Sequence, residues 1–269
     1  MRRKFLQSRR DAFDPNNYLT IEALEDGVVV SFTKSIEYNL DGEGWVRLAV
    51  NADTPPIKKG QTLSFRGKLT PSLEGIGRFT INGECNLMGN CMSLLFRNSA
   101  KKELSLASHS YAFYGLFEFC DGIKNVSPTF LPATTLASQC YDSMFYGCSS
   151  LTTAPELPAT TLADECYRNM FHLCSSLTTA PELPATTLAS QCYDSMFYGC
   201  EKLNYIKMLA TDISALDCLR DWVNGVASTG TFVKNPAMTT LPTGSNGIPS
   251  GWTVISESAE GGHQGGNIN

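Results

Sequence analysis

The sequence predicts an α+β protein in which an N-terminal antiparallel β-sandwich-like domain is followed by a short curved α/β solenoid and a C-terminal cap. Two patterns support this class: a hydrophobic period of two in the first part of the chain, and a 26-residue repeat in its centre. The predicted boundaries are a basic flexible arm at 1–16, the β-domain at 17–108, the solenoid at 109–215, the cap at 216–256 and a flexible tail at 257–269.

The β-domain is predicted from short segments of alternating apolar and polar residues that are separated by turn residues. The segments most typical of strands are Leu19–Ala23, Val28–Phe32, Trp45–Leu48, Thr62–Phe65 and Arg78–Ile81. Between them lie Asp-Gly, Pro-Pro, Lys-Gly and Asn-Gly sequences, which are typical of tight turns. Short strands at this spacing favour an antiparallel sandwich or jelly roll, whose sheet could also cover the first turn of the solenoid.

The solenoid is predicted from an exact internal duplication. The 18 residues Leu131–Cys148 recur as Leu183–Cys200, and a near-copy, Leu157–Cys174, lies between them at the same 26-residue step. A degenerate earlier copy is indicated by Ala112–Phe117 and Cys120. After Cys200 the pattern dissolves, and the cap is predicted to contain a short amphipathic helix at Cys218–Val223. A fixed period of this length indicates a stack of similar units, and such stacks more often present binding surfaces than enclose catalytic pockets.

Each repeat is predicted to contain a helix, because the copies differ along one stripe and agree along another. The first two copies differ at six positions, which are spaced i, i+1, i+4, i+5, i+8 and i+9. In the first copy these are positions 138, 139, 142, 143, 146 and 147, and their equivalents in the second copy are 164, 165, 168, 169, 172 and 173. The shared apolar positions form the opposite stripe. We therefore expect the six differing positions to face solvent, and a short strand to follow each helix at Leu151–Pro155 and Leu177–Pro181.

Stacked strands are about 4.8 Å apart, whereas packed helices need about 8–10 Å, so this stack should curve with its strands on the concave side. Candidate partner-binding residues therefore fall on two faces. On the concave side and just beyond it they are Thr152, Thr178, Asn204, Glu156 and Glu182. On the convex, helical side they are Tyr146, Arg168, His172 and Tyr198.

The ten cysteines are interpreted as small buried side chains. Cys140 and Cys148 would be about 12 Å apart on one helix, and equivalent cysteines of neighbouring helices would be too far apart for a disulfide. The eight-residue step between them is not a metal-ligand spacing. The nearer pair Cys85 and Cys91 leaves a local disulfide open, and free thiols fit folding in a reducing cytosol.

Composition narrows the class of partner. Charged residues make up 17% of the chain and the net charge is −5, which argues against general nucleic-acid binding. The basic start Met1–Arg10 is followed by Asp11 rather than by an apolar run, so we expect no secretory signal peptide, and no segment resembles a membrane span. The arm is interpreted either as a solubilising tail or as an anchor to a larger assembly.

The repeat also resembles a known family. Its recurring Phe145, Cys148, Leu151 and Pro158 are similar to the pattern of BspA-like leucine-rich repeats of bacteria, over roughly residues 112–215. The ending Gly247–Trp252 is similar to that of BspA-like proteins of gut Bacteroidales. The resemblance implies a leucine-rich-repeat solenoid used for adhesion at the cell surface or in phages and mobile elements, with no catalytic residues to transfer. Two departures are the 26-residue repeat, longer than the common 23, and Met144 in place of alanine.

The sequence therefore favours a non-enzymatic protein without a metal or cofactor. It lacks a phosphate-binding loop, a nucleophile elbow and a zinc-binding helix motif, and its three histidines lie in unlike contexts. One hypothesis is an adhesion module that binds a protein or glycan on a cell surface. The alternative is a structural or receptor-binding component of a phage virion or tail-like assembly, made in the cytoplasm and contacting neighbouring virion proteins. An oligomer is compatible with both, and the polar stripe could instead be no more than a solvated face.

Overall fold

The computed structural model describes residues 13–257 of the chain. Residues 1–12 of the predicted basic arm and residues 258–269 of the predicted tail lie outside this range. Within it, the N-terminal domain consists of strands β1 Leu19–Ala23, β2 Val29–Phe32, β3 Ile36–Leu40, β4 Trp45–Leu48, β5 Thr62–Arg66, β6 Phe79–Asn82 and β7 Cys85–Gly89. Five of these lie where the alternating pattern predicts strands. β3 and β7 were missed.

The domain is built on one large sheet. Its strand order is β4-β3-β5-β1-β7-β8, where β8 is Ile123–Val126, and β2 and β6 form a separate two-stranded sheet. Phe79 of β6 is buried against Phe65 of β5 and Phe32 of β2, with ring centroids 5.1 and 4.5 Å away. A short helix, α1 Ser93–Phe96, packs beside this sheet and leads into a 3₁₀ helix at Arg97–Lys102.

The sheet continues directly into the repeats. β7 pairs in parallel with β8, which belongs to the degenerate first copy, and the Cys85 amide donates to the Gly122 carbonyl. A Cβ atom at Gly122 would collide with the backbone of Gly83, so this close junction requires glycine. The β-domain thus covers the first coil, as expected. It is joined to that coil by backbone hydrogen bonds and not by side-chain packing alone.

The predicted helix-containing leucine-rich-repeat α/β solenoid is wrong. Within residues 13–257, α1 is the one α-helix, and none of the repeat segments is helical. The chain is mostly sheet and turn, and the predicted strands at 151–155 and 177–181 are reduced to isolated bridges such as Asn125 with Thr153 and Thr179 with Tyr205. The α+β class fails for the same reason, since the helices on which it depends are absent from the described repeats.

What replaces each helix is a chain of tight turns that hydrogen-bonds to the next copy. Alternate amides donate to a carbonyl 25 residues ahead, as from Tyr141 to Cys166 and from Phe145 to Met170. The amides between them close local turns three residues back, as from Met144 to Tyr141. Each copy is therefore a coil, and successive coils are joined backbone to backbone along the turn side as well as at the bridges.

Positive backbone φ angles explain why no helix forms. They recur at every fourth residue, at Gln139, Ser143 and Gly147 in the first clear copy. Such angles interrupt a right-handed helix after one turn and swing alternate carbonyls toward the neighbouring coil. Because both sides of the stack are hydrogen-bonded, the helix spacing on which the curvature argument rests does not apply.

The core of the stack consists of side-chain rows, one residue from each coil. The phenylalanine row is 117, 145, 171 and 197, with ring centroids 5.7 Å apart and planes within 4° of parallel. Phe113, Tyr141, Tyr167 and Tyr193 form a second buried row. Nearly parallel rings from coil to coil indicate a stack with little rotation between units.

The pattern does not dissolve after Cys200, as the sequence suggested, because residues 217–225 form a further coil. The Tyr193 amide donates to Cys218 and the Phe197 amide to Trp222, again 25 residues ahead. The short helix predicted from Cys218 to Val223 is thus wrong. The cap continues through the parallel sheet β9 Tyr205–Met208, β10 Thr231–Lys234 and β11 Thr253–Ser256, and both cap tryptophans are largely buried.

Candidate functional site

The six positions at which the copies differ come together in the structure, but they do not form a uniform solvent face. Each residue stacks on its equivalents in the neighbouring copies. A substitution in the middle copy therefore alters the side-chain contacts with the copies on both sides. Gln139 donates through Nε2 to Glu165 Oε2 at 2.7 Å, one coil away. The differences are therefore complementary contacts between neighbouring coils, and the prediction that the whole stripe faces water is wrong.

The clearest case is an alternating charged row: Asp142, Arg168, Asp194 and Arg220. Arg168 lies 2.8–3.0 Å from the Asp142 carboxylate, and Arg220 pairs with Asp194 in the same way. The side chain of Asp142 is completely buried and that of Asp194 nearly so. Burial raises the pKa of Asp142, against the lowering effects of Ser143 and Arg168. Arg168, a candidate contact residue, is therefore engaged inside the stack, where it also pairs with Glu165.

Beside the charged row runs an aromatic row formed by Phe119, Tyr146, His172 and Tyr198. The His172 ring lies between the two tyrosines, 4.6 Å from Tyr146 and 4.7 Å from Tyr198, with all three rings close to parallel. Phe119 meets Tyr146 edge to face at 5.3 Å. The structure thus brings together three of the sequence-predicted contact residues, Tyr146, His172 and Tyr198, on the surface of the stack.

This row leaves a large apolar area in contact with water. Phe119 is 62% exposed, Leu173 41% and Tyr198 37%, values that are high for such side chains. Leu173 lies over Gly199 and Phe119 over Gly147, so each large side chain occupies the space above a glycine of the next coil. The alternation of large and small residues fixes these side chains against the backbone and gives the patch a defined shape.

His172 is the titratable member of the row. Burial lowers its pKa, against raising effects from the Ser195 backbone and the Asp194 carboxylate. Its Nδ1 atom is buried and finds no hydrogen-bond partner among the described residues. Burial therefore disfavours the charged form of this ring.

The candidate residues of the strand side do not form one continuous row. Thr152 Oγ1 bonds to the Lys124 carbonyl and to Asn125 Oδ1, at 3.0 and 2.9 Å, so its hydroxyl serves the neighbouring coil. Glu182 pairs with Lys207 at 3.2 Å. The remaining three, Glu156, Thr178 and Asn204, are exposed. They lie on the strand side of the stack, next to the bridges that join Asn125 with Thr153 and Thr179 with Tyr205.

Two residues that matter for this surface were missed by the sequence reasoning. Phe119 was missed because the degenerate first copy was matched to the repeat only at Ala112–Phe117 and at Cys120. Arg220 escaped because the fourth coil was interpreted as a helical cap. Continuing the 26-residue step beyond Cys200 would have found it, since Cys218, Arg220 and Gly225 stand where Cys192, Asp194 and Gly199 do.

The cysteines are all free and buried, including Cys85 and Cys91, so the local disulfide is not formed in this structure. One row of thiols donates to phenylalanine carbonyls of the preceding strand or coil: Cys120 to Phe79, Cys148 to Phe117, Cys174 to Phe145 and Cys200 to Phe171, at 3.0–3.3 Å. Cysteine here is both a small apolar residue and a weak donor. Within residues 13–257, no group of three or more histidine, cysteine or acidic side chains is arranged to hold a metal ion.

The described part of the chain contains no helix with the length and apolar character needed to cross a bilayer. Comparison with protein-family models, with curated proteins and with solved structures gives no match. The resemblance to BspA-like repeats stays a prediction.

Proposed function

We propose that this chain is a non-enzymatic recognition protein that binds a protein partner through the aromatic row and the adjoining Leu173. The observation that carries the proposal is the group of exposed apolar side chains on this side of the stack, Phe119, Leu173 and Tyr198. Contiguous exposed apolar surface with a polar rim is typical of interaction sites rather than of inert protein surface. Aromatic residues are also enriched among the side chains that dominate binding energies.

The ring geometry favours a protein over a glycan. Sugars that bind aromatic residues need an open ring face, but both faces of His172 are covered by its neighbours, and each tyrosine has one face covered by His172. Apart from the second face of Tyr198 and the exposed ring of Phe119, the row therefore presents ring edges. Edges and hydroxyls of this kind suit the mixed apolar and hydrogen-bonding contacts of protein interfaces.

The surroundings supply a polar rim. Arg78 pairs with Glu118 next to Phe119, and its guanidinium lies close to Gly115. Asp121 accepts a hydrogen bond from Ser149 at 3.0 Å beside the same end of the row. Charged groups at the rim with apolar groups at the centre match the usual anatomy of a specific interface.

The test is a binding screen of the purified chain against immobilised cells, proteins and a glycan array, followed by variants of the patch. We expect binding to a protein, and a loss of at least about tenfold in affinity for F119S and for Y198S, which corresponds to about 1.4 kcal/mol. Thr152→Ala and Thr178→Ala are the matched controls on the strand side and should bind as the parent does. Binding that survives both patch variants, or that is lost in the strand-side controls, would contradict the proposal.

A further inference from the structure

A second feature of the chain lies in the N-terminal domain and does not depend on the proposed function. A cavity of about 280 Å³ is lined by residues of β3, β4 and β5 and by the segment that follows α1. Its charged lining consists of four cationic side chains, Arg47, Arg66, Lys68 and Arg97, and one carboxylate, Glu37. The cavity thus carries an excess of positive charge in a protein whose net charge is −5.

The sheet register explains how these groups meet. Glu37 on β3 is directly opposite Arg47 on β4 and directly opposite Arg66 on β5, so the three side chains point to the same face across three adjacent strands. Arg66 Nε donates to Glu37 Oε2 at 3.0 Å, and Arg97 contacts the same oxygen from the segment after α1. One carboxylate therefore organises two guanidinium groups and cannot neutralise all four cations.

Arg66 is held rigidly. Its guanidinium lies 4.0 Å from the centroid of the Trp45 ring and donates to Asn98 Oδ1 at 2.9 Å. Arg47 is fixed differently, through a hydrogen bond from its Nε to Ser35 Oγ at 3.0 Å. Within residues 13–257, no carboxylate lies at ion-pair distance from Arg47 or Lys68. Two cations of the cavity thus keep donors that the described protein groups do not use.

The backbone at Arg97 gives an independent reason to see a built site. Its φ of 52° and ψ of −126° are a conformation that glycine adopts readily and other residues adopt rarely. α1 is anchored just before it, because Ser93 Oγ donates to the Phe65 carbonyl at 2.7 Å. Gly67 lets α1 approach β5 closely, since a Cβ there would meet the Leu94 carbonyl at 2.8 Å. An arginine in a glycine-like conformation, aimed into a cationic cavity, is typical of a functional position.

We propose that this cavity binds a tetrahedral oxyanion, the sulfate or phosphate group of a larger ligand. Guanidinium groups that converge from two strands and from the α1 segment provide forked donors from several directions, which suit an anion with three or more acceptor oxygens. The charge excess favours a doubly charged group over a carboxylate. The volume is at the lower end for ligand sites, so the cavity holds the anionic group while the remainder of the ligand stays outside.

The experiment uses the full chain with inorganic phosphate, inorganic sulfate and acetate as probes, at constant ionic strength set with chloride. Binding is followed by thermal shift and by the Nε–Hε resonances of the arginines in ¹H–¹⁵N spectra. We expect saturable stabilisation by sulfate or phosphate, shifts of the Arg47 and Arg97 resonances, and at least tenfold weaker binding of acetate. A preference for one of the two tetrahedral anions identifies the source of the group.

Two variants and a control decide the assignment. Arg97→Gly removes the guanidinium and relieves the backbone, so it should fold at least as stably as the parent while its anion affinity falls at least tenfold. Arg47→Gln should weaken anion binding severalfold. If Arg97→Gly does not fold, the anion affinity of Arg47→Gln alone tests the proposal. Lys202→Gln, which removes an exposed cation from the repeats, should leave binding unchanged. Absence of saturation, equal binding by acetate, unchanged affinity in the tested cavity variants or an equal loss in the control would overturn the proposal.

Discussion

The guanidinium of Arg168 lies 2.8 Å from the carboxylate of Asp142, one coil earlier in the stack, and that carboxylate is wholly buried. The pair joins the first copy to the second at a position where the copies differ in charge. Asp194 in the third copy is identical to Asp142 and pairs with Arg220 of the fourth coil. The differences between otherwise repeated segments are thus part of how the coils hold together.

Replacing Arg168 by methionine should destabilise the protein by about 3 kcal/mol, because it leaves the buried Asp142 carboxylate without its counter-charge. The measurement is the free energy of unfolding from urea denaturation at neutral pH. Arg78→Met is the control, since it breaks a pair whose arginine is 45% exposed and should cost less than about 1 kcal/mol. Equal losses of unfolding free energy in the two variants would show that the buried Asp142 pair contributes no more to stability than an exposed pair.

Replacing Arg168 by aspartate should cost more than replacing it by methionine, because three carboxylates would then be stacked in adjacent coils. Reversing the whole charged row, with Asp142→Arg, Arg168→Asp, Asp194→Arg and Arg220→Asp together, restores alternation. This quadruple variant should recover most of the stability lost in the single variant, as measured by urea denaturation. If the quadruple variant is less stable than the single variant, the alternation of charge does not account for the stability that the row contributes.

Stability should fall as the pH drops below about 6.5, the ordinary pKa of histidine, and His172 should account for part of the fall. Burial lowers the pKa of His172 in the folded state, so the unfolded chain takes up the proton first and acid favours unfolding. The free energy of unfolding of the parent and of His172→Gln, compared between about pH 5 and 8, should show a flatter profile for the variant. A parental slope in the His172 variant would contradict the assignment.

The thiols should be nearly inert in the native protein. Burial raises the pKa of Cys85, Cys120, Cys140 and Cys192 to about 12, and only the thiolate reacts. A colorimetric thiol reagent at about pH 8 should therefore modify all ten cysteines in concentrated denaturant but few in the folded state. Burial also raises the pKa of Cys218, but this is the most accessible of the ten cysteines, and we expect it to react first. Rapid native labelling of Cys148 or Cys174 would show that the stack opens readily.

Five of the seven strands β1–β7 could be predicted, because a period of two is distinctive when turn residues bound it. The helices could not, although the decisive signal was present. The shared apolar positions of a copy, 136, 140, 144 and 148, are four residues apart without drift, whereas a helix would rotate by about 40° at each such step. A strict period of four fits the chain of turns with positive φ at every fourth residue, a form that propensity rules for helices and strands do not describe.

Only part of the arrangement of the proposed contact surface could be inferred from the sequence. Tyr146, His172 and Tyr198 could be recognised as differing positions beside an apolar stripe. That Arg168 would be engaged internally could not be, because a helical interpretation separates equivalent residues by the width of a helix. The anion cavity lay beyond sequence reasoning altogether, since Glu37 and Arg97 are sixty positions apart and meet only through the packing of α1 on β5.

The alternation of Asp142, Arg168, Asp194 and Arg220 also sets a rule for how such a molecule can lengthen. Inserting a single 26-residue unit would place like charges next to each other, whereas inserting two units, one of each kind, would leave every junction as it is. Gene duplications that survive in this lineage should therefore add coils two at a time. The protein would then grow by a fixed increment of about 10 Å, the height of two hydrogen-bonded layers.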